Sequence, residues 1–502
     1  VDRERRAAMK RALFAPLGAV SLAVAFALPL SCSSKQEGAA KLDRETLMDP
    51  ATCKTCHADH FEEWSGSMHA YASDDPVFVA MNARGQRETN GALGDFCVKC
   101  HAPLALRAGA TKDGLNLATV APKLKGVTCF FCHTVDKVDG AHNAPLHLSD
   151  APIMRGSFAD PVSNTAHDAT YSTLHDREKA ESAQLCGACH DIVTPAGAAV
   201  ERTFAEWEGS VFSHAGGATC GQCHMDQSTN LRPIANAPNV FARRFHGHMF
   251  AAIDVALTPF PHADDQKKKV QAFLDTTLQT ALCVTQDARV RVLADNVGAG
   301  HAFPSGASQD RRLWTEVIAY RGGQVIFQSG VVAEGTPVIQ PGVPLADPNL
   351  WVLRDCISDA QGQPLTQFFG AASDDSNVLP AQLTFDQTDP RYYQTHVVKS
   401  FPSGNGALAA MPDRVTLRVR LRPIGLDVLD DLIATKDLDP AIRAAMPTFD
   451  VGAEPILEWT PTSATEQYFE DRIPVMCVTK TNFNVAADKV AAPAHARTTC
   501  AP

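Results

Sequence analysis

Past residue 31 this chain has no apolar run that could cross a bilayer, for which about 20 apolar residues in a row are needed. It also lacks positive charge overall, with 45 Lys and Arg against 56 Asp and Glu and a formal net charge of −11. That acidity argues against nucleic-acid partners, whose phosphates draw basic surfaces. The polar bias of a disordered chain is missing too, since 45% of the residues are hydrophobic and only 20% charged. Apart from Cys32, no cysteine before residue 224 stands alone. At 502 residues the chain is too long for one small core, and two or three domains are expected.

What is present begins at the N-terminus. Arg3, Arg5, Arg6, Lys10 and Arg11 precede an uncharged apolar run from Ala12 to about Leu30, the layout of an export signal. Pro16, Gly18 and Pro29 interrupt that run, which favours a leader over a retained spanning helix. Leu28-Pro29-Leu30-Ser31-Cys32 resembles a lipoprotein signal, in which the cysteine becomes the lipidated first residue; plain cleavage and a retained leader are the alternatives. Residues 1–31 hold five Lys or Arg and two Asp or Glu, so their removal takes the net charge from −11 to −14. The expected location is outside the cytoplasm, in a bacterial periplasm or on the outer membrane or cell surface, with a membrane tether at Cys32.

Cysteine placement divides the rest. Eleven of the fifteen cysteines lie before residue 224, and Cys283, Cys356, Cys477 and Cys500 stand singly beyond it. Residues 1–32 read as leader and 33–48 as a polar tether. Residues 49–262 are rich in Gly, Pro, Asp and Asn breakers, which suggests short helices and loops unable to form an apolar core unaided. A charged stretch from Asp264 to about Leu278, within 263–280, predicts a linking helix. Period-two alternation then predicts strands at Ala288–Ala294, Leu313–Tyr320, Val325–Val332, Val415–Leu421 and Pro455–Thr460. The expected fold is α+β, with a β-sandwich over 281–502. Four late cysteines in an exported chain make two disulfides plausible, and three connectivities are open.

The chemistry lies in C-x-x-C-H, which occurs five times: Cys53-Cys56-His57, Cys97-Cys100-His101, Cys129-Cys132-His133, Cys186-Cys189-His190 and Cys220-Cys223-His224. Two thiols one helical turn apart can add to the two vinyl groups of haem, and the next residue, histidine, reaches the iron from one face. Paired cysteines also bind zinc or form redox disulfides, but neither needs a histidine after every pair. Five c-type haems, packed within about 210 residues of motif-bearing chain, are therefore expected to form the core of the first half.

Thirteen of the eighteen histidines remain for the second axial positions. The pool near the motifs is His60, His69, His142, His147, His167, His175, His214, His246 and His248. Gly298 and Gly300 add a tight turn that presents His301, with Pro304 stiffening its exit. Met68, Met225 and Met249 are rival ligands, each beside or one residue from a histidine and more consistent with packing. Mostly bis-histidine sites follow.

The motif neighbourhoods resemble a known family. Cys53-x-x-Cys56-His57 followed by Phe61-Glu62-Glu63-Trp64-Ser65-Gly66-Ser67-Met68-His69 is similar to the first haem unit of multihaem cytochromes related to the tetrahaem partner of hydroxylamine oxidoreductase. The likeness runs on through Gly126-Val127-Thr128-Cys129, Cys186-Gly187-Ala188-Cys189-His190-Asp191 and Glu206-Trp207-Glu208-Gly209-Ser210. It implies distal-ligand roles for His69, for His167 and His175 ahead of the fourth motif, and for His248 within His246-Gly247-His248. Asn296 to Gly306 and Arg311-Arg312-Leu313-Trp314 resemble a segment of long members with a C-terminal β-domain, and His301 is then a ligand lent to a haem. The second Glu-Trp unit departs from the pattern: Phe212 stands at the offset of His69, and His214 lies two residues on.

These readings predict electron transfer to redox partner proteins, other cytochromes among them. The alternative is a redox enzyme acting on a small nitrogen or sulfur compound at an open haem. No C-x-x-C-K variant marks such a haem.

Overall fold

A computed structural model describes residues 41–225, 230–340, 342–468 and 474–479. The leader, Cys32 and Cys500 lie outside these residues.

The first half is built from short helices that start where the sequence supplies caps. Asp49 accepts from Ala51 N with Pro50 in the first turn, Thr128 caps Cys129–Thr134, and Thr219 forms a reciprocal capping box with Gln222 at Cys220–His224. Pro76–Glu88 is its longest helix among the described residues. Small two-stranded ribbons lie between them, including Val135–Val138 with Leu146–Leu148 and Leu231–Pro233 with Ala242–Arg244. The expected tether does not extend to residue 48. Asp43 caps a helix at Arg44–Leu47, and Leu47 and Met48 are buried in the first-half cluster with Phe78, Phe130 and Phe131.

The linking helix runs Ala263–Thr277 and is more than a linker. Gln266, Val270, Leu274 and Thr277 make a buried stripe, and Val270 and Leu274 join the core of the second half. The chain then passes directly into the strand Leu278–Thr285, where the sequence showed no alternation. Its residues from Thr280 to Thr285 are all buried, so both faces are covered and the period of two disappears.

The second half holds two antiparallel sheets. One, of five strands, runs in the order Val397–Phe401, Val290–Asn296, Leu278–Thr285, Pro474–Thr479 and Thr465–Tyr468. The other, of six, centres on Arg312–Arg321 paired with Arg414–Arg422. In Arg414–Arg422 the residues Val415, Leu417, Val419 and Leu421 point inward, while Arg418 and Arg420 reach Asp450 and Glu316 on the other face. Inward residues of both sheets share one buried cluster. Cys283 pairs with Cys477 across adjacent strands, which selects one of the open connectivities.

The halves are packed against each other. Val77 and Ala80 of the first half enter the second-half cluster, and Arg84 and Arg87 bridge to Asp431 and Asp437 at 2.6 and 2.5 Å. Deeper in, Arg312 makes a two-pronged contact with Asp427, with Nη2 2.5 Å from Oδ2 and both side chains at most 2% exposed. Removing one partner of such a pair strands a buried charge, so Asp427→Ala is expected to cost about 3–5 kcal/mol in denaturant unfolding. A loss below about 1 kcal/mol would show that solvent reaches Arg312.

Buried Asp310 lies near this pair, and burial pushes its carboxyl up from 3.8 to about 7 against the pull of Arg312 and Arg311. An acid raised on folding stabilises the fold below its unfolded value and loses that contribution as pH rises through about 7. Asp310→Asn, which mimics the protonated form, is therefore expected to flatten the fall in melting temperature between pH 4 and 7. Parallel profiles for variant and parent would refute this.

Candidate functional site

Each of the five motif histidines turns one ring nitrogen to an oxygen of the protein. Nδ1 of His57, His101, His133 and His224 donates to the carbonyls of Ile234, Ala72, Arg155 and Ala251 at 2.9, 3.2, 2.5 and 2.8 Å. Nδ1 of His190 lies 3.3 Å from the Glu201 carboxylate. Because a carbonyl only accepts, Nδ1 carries the proton and the Nε2 lone pair is left for a metal.

Four of these rings are faced by a second histidine from a distant part of the chain. His57 faces His167 with centroids 6.3 Å apart, His190 faces His69 at 6.2 Å, His133 faces His248 at 6.2 Å, and His224 faces His301 at 6.5 Å. Two imidazoles bound about 2 Å from a shared metal leave a gap of this size between ring centres. The facing rings are oriented in the same way as the motif rings: Nδ1 of His167, His248 and His301 donates to the carbonyls of Asp168, His246 and Ala302. Burial pushes His69 and His248 down to about 3 and His301 down to about 4, which keeps the rings neutral and able to ligate. The donor set fits bis-histidine haem iron.

Glycine makes two of these approaches possible. Gly126, at φ +66°, lies so near the His69 carbonyl that a Cβ would stand 2.6 Å from it, and Val127 N donates to that same oxygen at 2.8 Å. Gly300, at φ +76°, turns the chain that presents His301. Phe212, at the offset where the first unit has His69, packs near Gly300, and His214 is exposed. In the second unit the facing histidine thus comes from the other half of the chain.

His175 stands 5.7 Å from His133, but both its nitrogens are engaged, Nδ1 with Ser172 Oγ at 3.1 Å and Nε2 with the Cys132 carbonyl at 2.8 Å. Those bonds leave no lone pair for a metal, so the geometry departs from the ligand role implied for His175. His101 is the fifth motif histidine. The Phe78 ring lies flat on it at 4.0 Å, and among the described residues no histidine ring faces it. His142 and His147 are exposed, the latter 2.5 Å from Asp139. His246 is half-buried near Phe158. Met249 is buried beside His224, in the lining of a cavity of about 270 Å³ that also includes Cys223 and Phe273.

The motifs crowd together. The thiols of Cys53 and Cys129, of Cys100 and Cys189, and of Cys186 and Cys220 lie near enough to perturb each other's ionisation. Cys132 lies close enough to Cys186 and Cys189 to feel their charge. The first motif therefore adjoins the third, the third the fourth, and the fourth both the second and the fifth.

Residues 52–134, which span the first three motifs, match the family described as cytochrome c554 and c-prime. No curated protein matches the chain. Among solved structures, a penta-heme cytochrome c552 from Thermochromatium tepidum has the same fold, with a TM-score of 0.53 and 18% identity over 84% of this chain and 99% of that one. The family match over the first three motifs and the histidine geometry fit covalently bound haem at this site.

Proposed function

We propose that this protein transfers electrons through five c-type haems, one on each Cys-x-x-Cys-His motif. The observation that carries the proposal is the set of four histidine pairs at one common spacing, each made of a motif histidine and a distant partner. When bound, each haem supplies a one-electron iron couple whose potential is tuned by its ligands and surroundings.

In this reading Cys53 and Cys56, Cys97 and Cys100, Cys129 and Cys132, Cys186 and Cys189, and Cys220 and Cys223 anchor the haems. His57, His101, His133, His190 and His224 bind the irons from one side. His167, His248, His69 and His301 would close four of them from the other, and among the described residues no histidine stands opposite His101. His175 orients the Cys132 segment instead of ligating. The proximity of the motif cysteines supports a branch at the fourth haem, with the first and third on one arm and the second and fifth on two others. The four irons closed on both sides favour electron passage over chemistry on a substrate, and the His101 position, which no described histidine faces, is the one place that would suit the enzymatic alternative.

Export, a lipid tether at Cys32 and docking to basic redox proteins, other cytochromes among them, belong to the same proposal. They are supported by the N-terminal sequence and the acidic composition. The test is a haem count with film voltammetry on the exported protein. The expected result is about five covalent haems per chain, all exchanging electrons with the electrode. A lower count, or haems that stay electrically isolated, would refute the relay.

A further inference from the structure

A short pattern occurs twice, as Phe61-Glu62-Glu63-Trp64-Ser65-Gly66-Ser67 and as Phe204-Ala205-Glu206-Trp207-Glu208-Gly209-Ser210. Its hydrogen bonds repeat as well. Trp64 Nε1 donates to the Val127 carbonyl, two residues ahead of Cys129, and Trp207 Nε1 to the Ala218 carbonyl, two residues ahead of Cys220, both at 2.8 Å. Ser67 and Ser210 each donate back to the carbonyl of their tryptophan at 2.7 Å. Each unit thus fixes the approach of the chain to a haem motif.

The glutamates extend the parallel to the opposite side of the same motifs. Glu63 Oε2 accepts from the backbone N–H of His248 at 2.6 Å, and His248 faces His133. Glu206 Oε2 accepts from the backbone N–H of Ala302 at 3.2 Å and from Ser305 Oγ at 2.6 Å, holding the turn whose His301 faces His224. In both places the carboxylate fixes the segment, and a carbonyl within that segment fixes the imidazole. One unit therefore braces a motif through its tryptophan and the facing histidine of that motif through its glutamate.

We propose that Glu63 and Glu206 are equivalent positioning residues that hold His248 and His301 on the irons of the third and fifth haems. The proposal rests on the bis-histidine reading above. Glu206 does so across the boundary between the halves, and it thereby makes the ligation of the fifth haem depend on the docking of the β-rich half.

The test is carbon monoxide binding to the reduced holoprotein, together with the ferric high-spin signal and the haem count. Glu206→Met and Glu63→Met keep bulk but remove the acceptor. Each is expected to raise bound carbon monoxide from about one to about two per chain, and the double variant to about three. Glu206→Gln, which retains an acceptor oxygen, is expected to return to about one. Thr203→Val removes the neighbouring Thr203 contacts with Ser305 and Gly306 N without touching Glu206, and should also stay at about one. An increase with Thr203→Val equal to that with Glu206→Met would mean general loosening of the interface and would overturn the positioning role. His301→Gly separates the two levels of the argument: no increase there refutes the ligand assignment itself, whereas an increase there with none in Glu206→Met refutes only the glutamate. If Glu206→Met loses haem, Glu206→Ala with the same readouts decides.

Discussion

One carbon monoxide per chain, and no more, is expected to bind the fully reduced protein. Irons held between His57 and His167, His190 and His69, His133 and His248, or His224 and His301 have no position to offer a diatomic ligand. His101 differs. Its Nδ1 is held by the Ala72 carbonyl and one ring face is covered by Phe78, so the imidazole is as rigidly presented as the others, yet no histidine among the described residues faces it. The oxidised protein should accordingly show a high-spin signal worth one haem beside four low-spin ones. No carbon monoxide uptake would mean that a group outside the four described pairs closes this iron. Uptake of two or more would break one of the four assigned pairs.

Replacing His69 by glycine should have the largest effect of any single change to a facing histidine. His69 is half-buried, and its carbonyl is locked by Val127 N against Gly126, so its ring is held facing His190. Its loss should double carbon monoxide binding and open the fourth haem, where the contacts between motifs converge. Electron equilibration between the first and fifth haems should then slow by at least about tenfold, since a change from low to high spin alters both potential and reorganisation at the node. Imidazole added to the variant should restore both readouts by filling the space left by the side chain. If equilibration is unchanged while carbon monoxide binding doubles, the branch point lies elsewhere.

The legible part of the molecule followed from local chemistry. Strands at Arg312–Arg321 and Arg414–Arg422 were visible because one face of each is polar, and the helix Ala263–Thr277 because its apolar positions recur at helical spacing. The strand Leu278–Thr285 was hidden by burial on both faces. Helices Leu426–Ala434 and Pro440–Ala445, inserted after the strand Arg414–Arg422, were also unanticipated, although the first of them supplies Asp427 to Arg312 and Asp431 to Arg84. The position of His175 ahead of the fourth motif does not reveal that its Nε2 lies 2.8 Å from the Cys132 carbonyl.

The sequence by itself determined the five Cys-x-x-Cys-His motifs proposed to hold the haems, because their cysteines and histidine lie within five consecutive residues and nothing distant is needed to complete them. Which histidine faces which motif histidine was decided only by the tertiary structure. His167, His69, His248 and His301 are brought to their partners by backbone carbonyls, by two glycines and by the packing of one half of the chain on the other, none of which leaves a local pattern. The same holds for His101, which no histidine among the described residues faces, a property of its surroundings and not of its motif.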